Sequence, residues 1–205
     1  MGKGKKKTGI MGGTFNPIHI GHLLLAENAK ETFGLDEVLF IPSGLSYMKS
    51  KTEVAPKDIR MAMTRLAIAD NPSFVLSPIE VEREGNSYTC DTLELLCRAE
   101  PETDFYFIAG ADSLFAMENW KQPEKIFRHC TVLASVREGS GDDSRLKAKI
   151  LYLKDKFHAD IRLIDMKEIS ISSTDIRHRI QIGKSVRYML PDSVIAYIQE
   201  HHLYQ

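Results

Sequence analysis

At 205 residues the chain is long enough to bury one well-cored α/β domain and short for two. Hydrophobic residues at 43% and charged residues at 27% are those of an ordinary soluble globule. A formal net charge of -1 excludes a broad nucleic-acid footprint, so any anionic ligand has to be held by local groups.

Residues 1–7, MGKGKKK, read as a basic solvated tail with no apolar segment behind it and hence no secretory signal. One domain is expected over residues 8–205. Thr8 to His22, TGIMGGTFNPIHIGH, reads as a strand, a glycine turn and a helix start. That helix is expected to run to about Phe33 and stop at Gly34, and Val38 to Ile41 is a buried strand ended by Pro42-Ser43-Gly44. Leu45 to Ala55 holds no period and carries Lys49 and Lys51 on a loop. A helix is predicted from Pro56 to Asp70, with Ile59, Met63 and Leu66 along its inward stripe.

Phe74-Val75-Leu76 is a third short strand, and a turn-rich passage leads to a helix starting near Asp91, with Leu93, Leu96 and Cys97 inward. Phe105 to Ala109 is the most continuous apolar run, which predicts a central strand buried on both faces, with Gly110-Ala111-Asp112 at its C-terminal end. Val132 to Val136 is a further strand ending at Arg137. A connector over Gly139 to Ser144 leads into a helix near Leu146 to Phe157, and Ile161 to Ile164 is the last parallel strand. Ser172-Ser173-Thr174-Asp175 caps a helix to about Ile182, and Pro191 begins a terminal helix with Val194, Ile195 and Ile198 inward. Strands alternate with helices throughout, the pattern of a doubly wound parallel sheet of Rossmann-like type. No stretch is long enough to span a membrane. Three cysteines, Cys90, Cys97 and Cys130, are odd in number and lack metal-ligand spacing, which points to a reduced cytoplasmic setting.

Two blocks carry chemistry. In the first, Gly12 and Gly13 allow a sharp bend and close approach to a ligand. His19 and His22, three residues apart, share one face of the first helical turn beside unpaired backbone N–H groups, and imidazoles that carry charge when protonated add to them. That geometry suits a polyphosphate. In the second block, Ile171 to Arg177, hydroxyls and N–H groups at a helix start are followed one turn later by Arg177, a second anion clamp. Taken singly, each block also reads as an ordinary turn or N-cap with polar surface residues.

Taken together, GTFNPIHIGH and ISSTDIR resemble the paired motifs of the nucleotide adenylyltransferases, in the HIGH-type nucleotidyltransferase superfamily. Within that group the chain most resembles the bacterial nicotinate-nucleotide adenylyltransferase family, from Thr8 to about Tyr204. The further motifs are SYTCDTL from Ser87, FIAGADSL from Phe107 with Trp120 following, the segment around Arg137, and LPDSVIAYI. The resemblance implies that Gly12, Gly13, Thr14, Phe15, His19, His22, Ser172, Ser173, Thr174 and Arg177 form the ATP side, with His19, His22 and Arg177 catalytic, and that Gly110 and Asp112 contact the adenosine. It also implies that Trp120 stacks on the pyridine ring, that backbone N–H groups near Thr89 and Lys121 receive the nicotinate carboxylate, and that Lys49 and Arg137 serve the second substrate. The loop Ser46-Tyr47-Met48-Lys49 departs from the family pattern: the cation is kept and a histidine is missing.

The reaction implied is attack by the phosphate of nicotinate mononucleotide on the α-phosphorus of ATP, giving nicotinate adenine dinucleotide and pyrophosphate in NAD biosynthesis. The resemblance supplies Mg²⁺, brought in with ATP. Adenylyl transfer to nicotinamide mononucleotide is the nearest alternative, and a non-catalytic nucleotide sensor is the alternative of another class. A class I aminoacyl-tRNA synthetase fragment is disfavoured because Lys49-Ser50-Lys51 follows the first motif almost at once and there is no room for a tRNA-binding domain. Expected partners are ATP and nicotinate mononucleotide, with no nucleic acid and no membrane, and with homo-oligomerisation left open.

Overall fold

The computed structural model describes residues 4–44, 54–135, 143–166 and 169–205. The expectations placed on residues 45–53 (including Lys49 and Lys51), on the strand end Val136-Arg137 and on most of the connector after it fall outside the described residues.

Six strands, β1 (Lys6–Gly13), β2 (Glu37–Pro42), β3 (Phe74–Leu76), β4 (Thr103–Ala109), β5 (Thr131–Ser135) and β6 (Ile161–Ile164), form one sheet in the order β3-β2-β1-β4-β5-β6. The pairings of β1 with β4, β4 with β5 and β5 with β6 are parallel, in registers such as Gly9 against Tyr106 and Val132 against Ile161. The order turns back at β1, so the chain starts in mid-sheet, lays strands to one side and then to the other, as in a doubly wound fold. Burial follows position. Phe105 to Ala109 of β4 are all buried, as the unbroken apolar run predicts for a strand covered on both faces, whereas the edge strand β6 buries Ile161 and Ile164 and exposes the two residues between them.

The helices are α1 (Ile20–Phe33), α2 (Lys57–Ile68), α3 (Thr89–Ala99), α4 (Ala111–Ala116), α5 (Pro123–His129), α6 (Asp143–Phe157), α7 (Ser173–Gln181) and α8 (Asp192–Glu200). α1 stops where expected. Gly34 has φ +61, the left-handed conformation that glycine takes without penalty, and Leu35 N–H donates back to Lys30 O at 3.0 Å to close the helix end. α5 went unpredicted because seven residues are too few to display a period.

The inward stripe of α2 differs from expectation. Arg60, Met63, Thr64, Ala67 and Ile68 are the buried residues, and Leu66 is 36% exposed. The reason is polar satisfaction. Thr64 donates to Arg60 O at 2.8 Å and the Arg60 guanidinium is spent on backbone carbonyls, so two polar side chains occupy a face that hydrophobicity assigns to Ile59 and Leu66.

The chain packs as two compact units, each assembled from discontinuous segments: Met1–Met11, Leu25–Val38 and Tyr88–Glu168 in the first, Gly12–Leu24, Leu39–Ser87 and Ile169–Gln205 in the second. In the first, β5 pairs between β4 and β6, α4 packs on β4 and β5, and α5 packs against α3 and α6, with Leu93, Ile126, Leu133 and Leu153 fully buried or nearly so. In the second, α2 packs on β3 and α8 around Met63, Phe74 and Val194. Among the described residues no helix is long and apolar enough to cross a membrane.

Leu133→Ala removes a side chain with no solvent exposure from the middle of β5. It should destabilise the protein by about 2–5 kcal/mol. A melting temperature within a degree of the parent's would contradict the burial of Leu133.

Candidate active site

The first motif ends β1 and turns through Thr14-Phe15-Asn16-Pro17 into α1. Gly13 is required by its neighbour, since a Cβ built there would stand 2.8 Å from the Phe15 ring. Phe15 holds φ +48, a conformation that bulky residues adopt only when their surroundings impose it. The surroundings are specific. The Phe15 ring is 2% exposed and packs edge-on to His22 (centroids 5.1 Å apart) and against Phe40 (6.1 Å). Arg60 Nη1 donates to Thr14 O at 2.7 Å, Arg177 Nη1 to Asn16 O at 2.9 Å and Ser173 Oγ to Pro17 O at 2.8 Å. The Asn16 side-chain oxygen accepts from Ala55 N–H at 3.1 Å and from the Tyr204 hydroxyl at 2.8 Å.

His19 and His22 share a face, as their spacing requires, with rings stacked at 3.7 Å. Two expectations for this helix start are corrected. The backbone donors are largely taken: Ile20 N–H goes to Met189 O at 3.0 Å, and the N–H groups of His22 and Leu23 both turn back to His19 O. His19 is also not a cation at neutral pH, because burial lowers its pKa to about 4. Its residue is 7% exposed and its Nδ1 has no hydrogen-bond partner among the described residues. What this helix start offers instead is the His22 ring. His22 Nδ1 accepts from His19 N–H at 3.2 Å, which fixes the neutral ring as the Nε2–H tautomer and makes Nε2 a donor.

The second motif forms as read. Ser172 is the N-cap of α7 and accepts from Asp175 N–H at 3.1 Å. Ser173 and Arg177, one turn apart, both reach the Thr14–Pro17 turn, so the two motifs, over 150 residues apart in sequence, are brought together. Arg177 Nη2 stands 3.4 Å from Thr174 Oγ1. The assembled group is a permanent guanidinium, a histidine donor and serine and threonine hydroxyls around a strained turn, a donor set that matches phosphate oxygens.

The remaining expected residues lie in the first unit. Gly110 is the N-cap of α4, and Asp112 is exposed in the first turn of that helix. Trp120 follows a 3-10 turn over Met117–Asn119, packs edge-on to Phe107 at 6.0 Å, and has a buried Nε1 with no partner among the described residues. Thr89 opens α3. The ammonium of Lys121 bonds Asp91 at 3.0 Å, which raises its pKa, and lies 4.1 Å over the Tyr88 ring. Lys49 and Arg137 are outside the described residues. Sequence reasoning missed Arg60, the Asn16 side chain, Tyr204 and Asp91. For Arg60 a signal existed: an arginine three residues before Met63 and seven before Ala67 sits on a helical stripe that is otherwise buried.

Residues 10–179 match the model of the cytidylyltransferase-like family. A protein of Lachnoclostridium phytofermentans named "Probable nicotinate-nucleotide adenylyltransferase" is 45% identical over 199 residues, 97% of this chain and 99% of that one. A protein of the same name from Dehalococcoides mccartyi is 42% identical over 202 residues, 97% of each chain. The chain therefore belongs to the cytidylyltransferase-like family, in its nicotinate-nucleotide adenylyltransferase branch. The same fold is present in Plasmodium falciparum nicotinic acid mononucleotide adenylyltransferase complexed with NaAD, with a TM-score of 0.79 at 21% identity over 97% of both chains.

The buried neutral His19 makes stability depend on pH with a definite sign. Its pKa is about 4 when folded and near 6.5 when unfolded, so the unfolded chain binds the extra proton between those values. The contribution is fully present above pH 6.5 and is lost as pH falls towards 4. Urea midpoints should therefore fall more steeply between pH 7 and pH 4.5 for the parent than for His19→Asn. Parallel curves would place His19 in water.

Proposed function

We propose that the chain transfers AMP from ATP to nicotinate mononucleotide, forming nicotinate adenine dinucleotide and pyrophosphate. The observation that carries this reading is the clasp in which Ser173 and Arg177 of the second motif hold the turn of the first, beside the Nε2–H of His22.

The nucleophile needs no general base. A phosphate monoester has a second pKa of about 6 and is largely dianionic at neutral pH. The protein's task is to align that dianion with the α-phosphorus and to stabilise the charge that builds on the α-phosphoryl and leaves with pyrophosphate. On this reading Gly12, Gly13, Thr14 and Phe15 let the triphosphate approach the backbone, Ser172 and Thr174 supply hydroxyl donors, Ser173 a helix-start N–H while its hydroxyl holds Pro17 O, and Arg177 supplies the fixed charge. His22 donates through Nε2. His19, neutral and stacked beneath, contributes shape and the backbone N–H that sets the His22 tautomer, and its role is orientation. With His19 uncharged, Arg177 needs help against a triphosphate. The donors around the clasp are N–H and O–H groups with no carboxylate among those described above, which suits Mg²⁺ that arrives as part of the ATP substrate and is held by phosphate oxygens and water.

For the rest of the substrates, Gly110 and Asp112 take the adenosine, and Trp120 offers the pyridine ring a flat apolar partner next to Phe107. The N–H groups near Thr89, at the start of α3, and near Lys121 receive the carboxylate, while the Lys121 ammonium is already engaged by Asp91. Lys49 and Arg137 complete the set. All three cysteines are unpaired, in keeping with a reducing compartment such as the cytoplasm.

A carboxylate accepts from two donors, whereas a carboxamide turns an NH₂ toward one of them and leaves it unpaired, at a cost of about 1–3 kcal/mol. Measured by pyrophosphate release under identical ATP and Mg²⁺, kcat/KM should favour nicotinate mononucleotide over nicotinamide mononucleotide by roughly ten- to a hundredfold. Equal values would remove the acid assignment and leave the transfer chemistry. Binding of ATP without pyrophosphate release from either substrate would make the protein a sensor.

A further inference from the structure

Arg60 is 2% exposed, and the charge of Glu80 acts on it. A buried guanidinium is costly to desolvate, and burial lowers its pKa against the opposing influence of Tyr204 and Glu80. Each of its three nitrogens donates to a backbone carbonyl. Nε goes to Ala55 O at 3.0 Å, Nη1 to Thr14 O at 2.7 Å, and Nη2 to Ser43 O at 2.7 Å with Gly44 O at 3.5 Å. Ser43 N–H in turn donates to Gly13 O at 2.8 Å, so the end of β2 and the end of β1 are tied to the same fork.

This arrangement has a consequence for the turn. In a trans peptide the carbonyl and the next N–H point in opposite directions. Holding Thr14 O against Arg60 therefore turns Phe15 N–H to the opposite face, and no hydrogen bond within the described residues uses that N–H. It also holds Phe15 at its strained φ of +48, from which the chain would otherwise relax by rotating the same peptide. Arg177 grips the next carbonyl but one. A planar fork with fixed donor directions can serve three chain segments at once, which a lysine ammonium on a flexible stem cannot.

We propose that Arg60 is a positioning residue that fixes the Thr14–Phe15 peptide, so that the turn meets the ATP phosphates with its N–H groups already aimed. The inference rests on the adenylyl-transfer reading for its kinetic consequence. It acts through the turn and touches no substrate.

The test uses Arg60→Lys and Arg60→Ala in the full chain. Each should fold to a protein with the parent's circular dichroism and a cooperative melt. In the folded fraction, pyrophosphate release at saturating substrates should fall roughly 10- to 100-fold, because small misplacements of binding groups carry penalties of that size. KM for nicotinate mononucleotide should be unchanged. Guanidinium ion at low millimolar concentration should restore part of the turnover to Arg60→Ala, and methylammonium should not. Titration of ATP alone, by calorimetry, should show affinity for the variants weakened about tenfold, the loss of one well-placed phosphate donor. Parent-like turnover and ATP affinity in folded Arg60→Lys would overturn the proposal. So would variants that lose melting temperature alone, or failure of both to fold, since either assigns Arg60 to stability. A parent protein that binds ATP and releases no pyrophosphate would remove the adenylyl-transfer reading, and the ATP titration would then decide Arg60 by itself.

Discussion

Three carbonyls of the Thr14–Pro17 turn are held by three side chains from distant parts of the chain: Thr14 by Arg60, Asn16 by Arg177 and Pro17 by Ser173. The turn carries a bulky residue at positive φ, and such a conformation persists only where its surroundings over-determine it. The turn therefore depends on contacts that span 46 to 161 residues of sequence. Tyr204, one residue from the end of the sequence, adds a hydroxyl to the Asn16 side chain, and burial raises the pKa of that hydroxyl, keeping it a donor at neutral pH. A glycine-rich turn is usually regarded as permissive backbone. In this protein it is held from behind as firmly as a core strand.

The electrostatics of the clasp are spare. The two arginines divide the work, Arg60 bonding backbone carbonyls and Arg177 a carbonyl and the Thr174 hydroxyl, while burial keeps the His19 imidazole neutral. The first motif thus contributes orientation more than charge. The His19 backbone N–H fixes the His22 tautomer, and stacking and the edge-on Phe15 fix the plane of its ring. A donor whose direction is set in advance needs no reorganisation when charge develops, which is where such sites gain most of their effect.

The alternation of strand and helix, the buried central strand from Phe105 to Ala109 and the Ser172 cap were legible in sequence because each rests on local pattern: apolar run length, glycine stops and capping hydroxyls. So were the two motifs, whose residue types fit phosphate before any geometry is known. What escaped was non-local. The burial of Arg60 on α2 and the engagement of Asn16 by Tyr204 depend on which carbonyls lie across the fold, and no spacing along the chain encodes that. The N–H groups beside the His19 and His22 rings were expected to be unpaired because a helix start leaves them so by default. His22 and Leu23 N–H close locally on His19 O, while Met189 O, which takes Ile20 N–H, becomes visible only once the chain is folded. The neutrality of His19 likewise follows from burial that its place beside a glycine-rich turn does not reveal.

The most direct measurement follows the α-phosphorus of ATP. With Mg²⁺ and nicotinate mononucleotide present, ATP labelled at that atom should give a labelled dinucleotide containing nicotinate and adenosine, with unlabelled pyrophosphate released in equal amount. Label that stays in ATP, or that emerges as AMP without dinucleotide, would contradict transfer to the mononucleotide phosphate.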